Sequence, residues 1–281
     1  MKEERYKVGS SIKLLDYLVS IKKDLSNKKI KQYIKYNNII VNDKIVNRTD
    51  YMLEKNDIVV IKYGKRSIDE FDIDIIYEDK DIIVISKPCG LLSISNSHEK
   101  DITAFKIVRN YVRKNNPKTF LFVIHRLDQE TSGVLMFAKN EKIKFLFQDN
   151  WNKIVKKRKY MVVVEGVVKE SGRIESYLKE NKIGMVYSSK NKDGKYAISE
   201  YNVVKIGKNK TLLDVNILTG RRNQIRVHLS EMGNPIVGDK KYGNRSNSRL
   251  MLHAYLLEMV DPRNNKILSF KADVPEEFYK I

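Results

Sequence analysis

One carboxylate, Asp128, stands in the segment HRLDQETSG (His125–Gly133), between an apolar run at Leu121–Ile124 and a second at Val134–Ala138. Arg126 lies two positions before it and Ser132 four after. Ser132, His125 and Asp128 are the residue types of a nucleophilic triad, but triad members seldom share one turn. TSG between two strands is also not the GxSxG elbow of the hydrolases. Metal chemistry fails on spacing, because the four histidines, His98, His125, His228 and His253, show no HxxxH pattern and no neighbouring thiol or acid pair. Neither GxxxxGK[ST] nor GxGxxG occurs, so no nucleotide cofactor is expected. What remains is a single carboxylate able to act as nucleophile or as charge stabiliser at a sugar centre. An arginine beside it would favour its ionised form. Taken alone, Asp128 reads as a turn residue ahead of a catalyst, since aspartate bonds its own backbone there.

The elements that must position such a group are mostly short strands. DIIVIS, FLFVI, GVLMFAK, YMVVVEG, YAISEYNVV and TLLDVNIL read as strands. Two helices are expected among them. One runs from Glu141 to about Lys157, with Ile143, Leu146, Phe147, Ile154 and Val155 on a shared stripe. The other runs from Arg221 to Met232, with Ile225, His228, Leu229 and Met232 aligned and Gly233 as the stop. The pattern implies an α+β, mainly antiparallel mixed-sheet domain over residues 73–281. Residues 66–72, within a polar turn-like stretch, are expected to be a linker. Residues 1–65 read as a small separate domain. Its first helix, around Ile12–Val19, has Ser10 or Ser11 as candidate cap. A second follows Ser26, with Ile30, Tyr33 and Ile34 on its apolar face and Asn37–Asn38 at its end. Lys28, Lys31 and Lys35 fall on the opposite face of that helix. The strands IIVN and KIVN then flank an Asn42–Asp43 turn, ahead of DIVVIKY.

Segment order now bears on Asp128. DIIVISKPCGLLS, HRLDQETSGVLMFAK, RKYMVVVEG, DGKYAISEYNVV, LTGRRNQIRVHL, GNPIVGDKKYG and LHA follow one another between about Asp72 and Glu277. This succession resembles the RluA-type family of pseudouridine synthases, and the first 65 residues resemble its common companion, an S-four-like (αL-type) RNA-binding domain. The resemblance implies that Asp128 is the catalytic aspartate, that Tyr160 lies against the uracil and that Arg226 pairs with the aspartate. It further implies that Ile225 packs on the base and that Arg126 fills the place of a uridine drawn out of its helix. Two positions depart from the pattern. Arg222 and Asn223 stand where many members carry Thr-His, which puts local hydrogen bonding and RNA contact in question. Cys89 stands where alanine is frequent, and a packing role suits it. Arg222, Lys28, Lys31 and Lys35 complete the candidate RNA contacts, while Lys87, Pro88 and Gly90 read as architectural.

The implied reaction is an isomerisation: a glycosidic bond breaks, the base turns, and it rejoins through a ring carbon. Nothing is oxidised and no group is imported, so no cofactor is expected. A tyrosine ring can hold the detached base by stacking, whereas its hydroxyl, with an ordinary pKa of about 10, needs help to act as a base. Bulk composition agrees on the partner. The 281 residues carry 54 Lys and Arg against 35 Asp and Glu, a net charge of +19. The first 65 residues hold 15 basic and 8 acidic side chains, so the excess is shared by both parts. Such a balance favours a polyanion. Membrane binding is not expected, because no apolar run approaches the roughly 20 residues of a spanning helix. A single cysteine and an N-terminus without an apolar stretch point to the reducing cytoplasm. Ribosomal RNA of the large subunit is the expected substrate, with transfer RNA as the alternative, and a monomer is the default state. Two other readings stay open at this level. One is a non-catalytic RNA-binding or ribosome-assembly protein. The other is a nucleosidase-like hydrolase, for which Glu130 is the nearest second carboxylate.

Overall fold

A computed structural model describes residues 3–35, 38–42, 44–46, 48–62, 73–95, 102–243 and 248–281. The chain forms two compact units, Met1–Glu70 and Phe71–Ile281. The expected linker, residues 66–72, lies outside the described residues, as do Asn37, Asp43 and His98.

The first unit contains strands β1 (Glu3–Lys7) and β2 (Ile12–Lys13), helices α1 (Leu14–Ile21) and α2 (Asn27–Lys35), then β3 (Ile39–Val41), β4 (Lys44–Ile45), β5 (Met52–Leu53) and β6 (Ile58–Lys62). Its four-stranded sheet runs β1-β6-β3-β4, with β2 and β5 paired apart. The core is built from Leu14 and Leu18 of α1, Ile30 and Ile34 of α2, and Val59 and Ile61 of β6. Ser26 caps α2 as expected, accepting from the Lys29 amide at 3.3 Å. The cap expected at Ser10 or Ser11 is not used. Residues 12–13 are drawn into pairing with Leu53 and Met52, so α1 starts at Leu14 with no side-chain cap. Lys28 and Lys31 are exposed on α2 while Ile30 and Ile34 are buried. The side chain of Lys35 lies outside the described residues.

The second unit contains β7 (Ile75–Glu78), β8 (Ile82–Lys87), α3 (Ala104–Asn115), β9 (Phe122–Val123), β10 (Ser132–Ala138), α4 (Glu141–Asp149), α5 (Trp151–Ile154), β11 (Val155–Glu165), β12 (Gly172–Glu180), β13 (Val186–Ser188), β14 (Lys195–Ile206), β15 (Lys210–Ile217), α6 (Gln224–Glu231), β16 (Leu252–Val260) and β17 (Ile267–Lys271). One sheet of 11 strands runs β13-β12-β14-β15-β11-β16-β10-β8-β7, with β17 beside β16 and β9 beside β10. Every named pair in it is antiparallel except β10–β16. The α+β, mainly antiparallel expectation therefore holds. Among the described residues no helix is long and apolar enough to cross a membrane.

Two helix boundaries differ from the sequence reading. The stripe Ile143, Phe147 and Ile154 is buried in one core cluster, with Leu146 and Val155 packed against it, but it is not one helix. Asn150 turns its amide back onto the Leu146 carbonyl at 2.9 Å and interrupts the helix. Val155 then leaves for β11, opposite Met259, where a β-branched side chain suits the pleat. The later helix starts at Gln224, because Arg221 and Arg222 precede an Asn223 in the left-handed region, φ 53°. Its expected stop holds, with Gly233 at φ 89°.

Candidate active site

The loop that carries Asp128 is stitched to the preceding Lys87–Ser93 loop. Ser93 exchanges two hydrogen bonds with Leu127, donating to its carbonyl at 2.7 Å and accepting from its amide at 3.1 Å. The Gly90 amide donates to the Gln129 carbonyl at 2.9 Å, and the Gln129 side chain donates back to the Gly90 carbonyl at 3.0 Å. Beneath both loops lies Lys87, fully buried, with its ammonium donating to the carbonyls of Pro88, Leu91 and Gln129. Burial holds its pKa down at about 7, against the raising influence of Cys89 and Glu130. KPCG is thus the platform on which the aspartate loop rests.

Immediately downstream, Gly133 makes a close approach to β16. Its φ is +117°, and a Cβ would sit 2.1 Å from the Ala254 carbonyl oxygen, so no other residue fits without displacing β16. Ala254 pairs with Gly133 on one side and with Tyr160 on the other. One row of residues across β10, β16 and β11 therefore sets the spacing between the Asp128 loop and Tyr160. That row also contains an irregularity: Lys159 pairs with Leu256 and Tyr160 with Ala254, leaving Tyr255 as the extra residue on β16.

Asp128, Tyr160, Ile225, Arg226, Arg126 and Arg222 all line a single cleft of about 560 Å³, joined by Asn223, Gln224 and Leu252 among others. The Asp128 side chain is 39% exposed, and its Oδ2 receives the Asn223 amide at 2.7 Å. Arg226 Nη1 lies 3.7 Å from the same oxygen. Oδ1 makes no hydrogen bond among the described residues, and Asp128 lines the cleft. Ile225 is buried and forms part of the apolar wall beside Ile217 and Leu252. Tyr160 is half-buried against the β11–β15 core. Burial pushes its hydroxyl up to about 12, with the charge of Asp128 adding and Arg158 opposing. A phenol so placed stays neutral at physiological pH, and so suits stacking rather than proton abstraction.

Arg226 reaches the aspartate, but its chief partner lies elsewhere. Its Nε and Nη2 hold Asp239 in a two-pronged pair at 2.8 and 2.7 Å, and the Asp239 side chain is wholly buried. Asp239 Oδ1 also accepts the amides of Lys241 and Tyr242 at 2.9 and 3.0 Å. Burial would raise the Asp239 pKa, but the Arg226 guanidinium and these amides outweigh it and hold the carboxyl below its usual range. A bidentate pair fixes the plane of the guanidinium, leaving Nη1 as the prong that faces Asp128. GNPIVGDKKYG carries this aspartate in the sequence, a lone acid followed by two lysines, but nothing in the spacing tied it to Arg226.

The other candidates divide. Arg126 is exposed and makes no hydrogen bond or ion pair among the described residues. Arg222, also exposed, is engaged with Glu180 through Nη1. Of the histidines, His125 accepts the Met136 amide at 3.2 Å, and burial lowers its pKa to about 3. His228 lies between the hydroxyls of Ser176 and Ser199 at 3.0 and 2.9 Å. His253 pairs with the Ser132 hydroxyl at 2.8 Å, both groups being buried, so Ser132 has neither His125 nor Asp128 as partner. Among the described residues no group of three or more His, Cys, Asp or Glu is placed to hold a metal ion.

Comparison with known proteins places this arrangement. The RNA pseudouridylate synthase family matches residues 81–231, more than half of the chain. The ribosomal large subunit pseudouridine synthase D of Borreliella burgdorferi is 35% identical over 243 residues, spanning 80% of this chain and 74% of that protein. The RNA pseudouridine synthase YlyB of Bacillus subtilis is 29% identical over 287 residues, 94% of this chain and 91% of its own length. Among solved structures, human RNA pseudouridylate synthase domain containing 4 shares the fold, with a TM-score of 0.61 at 22% identity over 73% of this chain and 90% of the human one. The chain belongs to the RluA-type family of RNA pseudouridine synthases.

Proposed function

We propose that this RNA pseudouridine synthase modifies uridines of large-subunit ribosomal RNA and that Asp128 carries the reaction. One observation supports the assignment above the rest: a partly exposed, cleft-lining carboxylate whose Oδ2 is bonded by Asn223 with Arg226 beside it, while Oδ1 has no hydrogen-bond partner among the described residues. A nucleophile or charge stabiliser needs one oxygen anchored and one free. In this reading Asp128 acts as the N1–C1′ bond of the uridine breaks. The uracil turns against Tyr160, with Ile225 packed on its other side, and C5 bonds to C1′. C5 then loses its proton and N1 gains one, so product and substrate have the same composition and no cofactor is consumed. Arg226 balances the charge on Asp128. Arg126, exposed, lining the cleft and without a partner among the described residues, takes the place of the extruded base, offsetting an unstacking cost of a few kcal/mol.

The first unit is proposed to be the S-four-like RNA-binding domain, over residues 1–65, ahead of a catalytic domain at 73–281. Its support is α2, which buries Ile30 and Ile34 and turns Lys28 and Lys31 outward. Arg222 extends the basic surface at the cleft. The large-subunit substrate draws support from relatives whose names state that activity. The test is in vitro modification of transcribed large-subunit ribosomal RNA and, separately, of bulk transfer RNA, with pseudouridines mapped by primer extension. Modification of ribosomal RNA alone, abolished in Asp128→Asn with RNA affinity retained, is the expected result. Modification of transfer RNA alone would overturn the substrate. Wild-type turnover by Asp128→Asn would overturn the site.

A further inference from the structure

We infer that Asn223 is a positioning residue for Asp128, and that a hydrogen bond from Tyr242 supports the amide orientation that turns its NH₂ to the carboxylate. The inference rests on the reading of Asp128 given above. Three contacts carry it. The Val186 amide lies 3.1 Å from the Tyr242 hydroxyl oxygen. The Tyr242 hydroxyl lies 3.3 Å from Asn223 Oδ1. Asn223 Nδ2 lies 2.7 Å from Asp128 Oδ2.

A backbone N–H can only donate, so the Tyr242 oxygen is an acceptor from Val186. An ionised carboxylate can only accept, so Asn223 presents its NH₂ end to Asp128. Its carbonyl Oδ1 then faces Tyr242, whose hydroxyl donates to it while the phenolic oxygen accepts from Val186. A flipped amide would set its oxygen against the carboxylate and lose both contacts. Tyr242 is in turn held from the other side, because the Arg226 guanidinium lies 5.2 Å over its ring and its own amide bonds Asp239. The backbone supports the same role. Asn223 sits at the N-terminal boundary of α6 with φ 53° and ψ 20°, a left-handed conformation that asparagine tolerates better than almost any other residue with a side chain. Its side chain makes no cap on α6; it is spent on Asp128 instead.

Asn223→Gly keeps the left-handed backbone and deletes the amide. Loss of a hydrogen bond to a charged group predicts a fall in kcat of about 10- to 100-fold, with KM within about twofold. Asn223→His restores an N–H and is expected to return kcat to within a few-fold of wild type. Asn223→Asp keeps the shape but opposes two carboxylates, and is expected to be the least active. Tyr242→Phe removes the hydrogen bond to Asn223 Oδ1 and lowers kcat by less than Asn223→Gly. A glycine variant with wild-type kcat, or a histidine variant no better than glycine, overturns the inference. A double-mutant cycle on thermal stability, Asn223→Gly against Asp128→Ala, reads the contact without turnover. Non-additivity of about 2–4 °C supports it, and additivity overturns it. An inactive wild-type protein would sink the reading of Asp128, while the cycle would still decide whether Asn223 holds it.

Discussion

Replacing Asp239 with asparagine tests the claim that the orientation of Arg226 is imposed from behind, by a residue remote from the cleft. The two side chains have nearly the same shape, so the change is one of charge and of donor for acceptor. Asp239 Oδ1 accepts three hydrogen bonds, from Arg226 Nη2 and from the amides of Lys241 and Tyr242; Oδ2 accepts one, from Arg226 Nε at 2.8 Å. The asparagine oxygen will take the richer position. Its NH₂ then faces the Nε–H, donor against donor. One charge-assisted bond is lost, worth about 1.5–3 kcal/mol, and a guanidinium whose side chain is only 12% exposed loses its counter-charge. Together these give a loss of about 3 kcal/mol. For a unit of this size that is a fall in Tm of about 6–12 °C, at about 2–4 °C per kcal/mol.

The pH dependence has a definite sign. Asp239 is held below its usual range in the folded state, so its contribution is complete above the unfolded value of about 4 and is lost as the carboxyl protonates at lower pH. The Tm gap between wild type and Asp239→Asn is therefore flat near neutrality and closes as pH falls through and below 4. Catalysis should suffer as well. Released from Asp239, Arg226 is free to close its 3.7 Å distance to Asp128 and tie up the carboxylate, lowering kcat by about tenfold or more. Differential scanning calorimetry between pH 3.5 and 7.5, with single-turnover assays on RNA, measures both. A Tm change below about 2 °C at pH 7, or a gap that widens in acid, would refute the account.

Three further outcomes follow from the geometry. Gly133→Ala places a Cβ against the Ala254 carbonyl at a backbone angle alanine disfavours, so it should cost about 3 kcal/mol or more; near-wild-type stability in urea denaturation would count against the close approach. Lys87→Met removes a buried base whose folded pKa is about 7, well below its unfolded value. The unfolded chain then holds the proton that the folded chain has released, so wild-type stability should gain on the variant by about 2–4 kcal/mol between pH 7 and 10, and a constant difference would disprove it. Substituting Lys28 and Lys31 together by alanine should reduce the slope of log K for RNA against log salt by about 1.4–1.8, whereas an unchanged slope would remove α2 from the interface.

The sequence displayed the candidate carboxylate and concealed its supports, for a physical reason. Strands β8, β10, β11, β14 and β15 are legible because apolar alternation and β-branched content are local properties. The break of the 141–157 helix is not, since the competing pull on Val155 comes from Met259, far along the chain. Helix α3 also lay unread, although Thr103 caps it, because its apolar positions are interleaved with Lys106, Arg109, Arg113 and Lys114. The same division runs through the cleft. Asp128, Tyr160 and Arg226 stand in segments that read as motifs, whereas Asp239 is one acid in a lysine-rich turn and acquires meaning only from the guanidinium packed against it. Asn223 looked like a departure from the common Thr-His and proves to contact Asp128 more closely than Arg226 does, 2.7 against 3.7 Å. Charge follows the same logic at two scales. The excess of lysine and arginine over the whole chain can be counted from the sequence and suits a polyanionic partner. The Arg226 guanidinium, 3.7 Å from Asp128, is held by a buried carboxylate, and that pairing is a property of the fold alone.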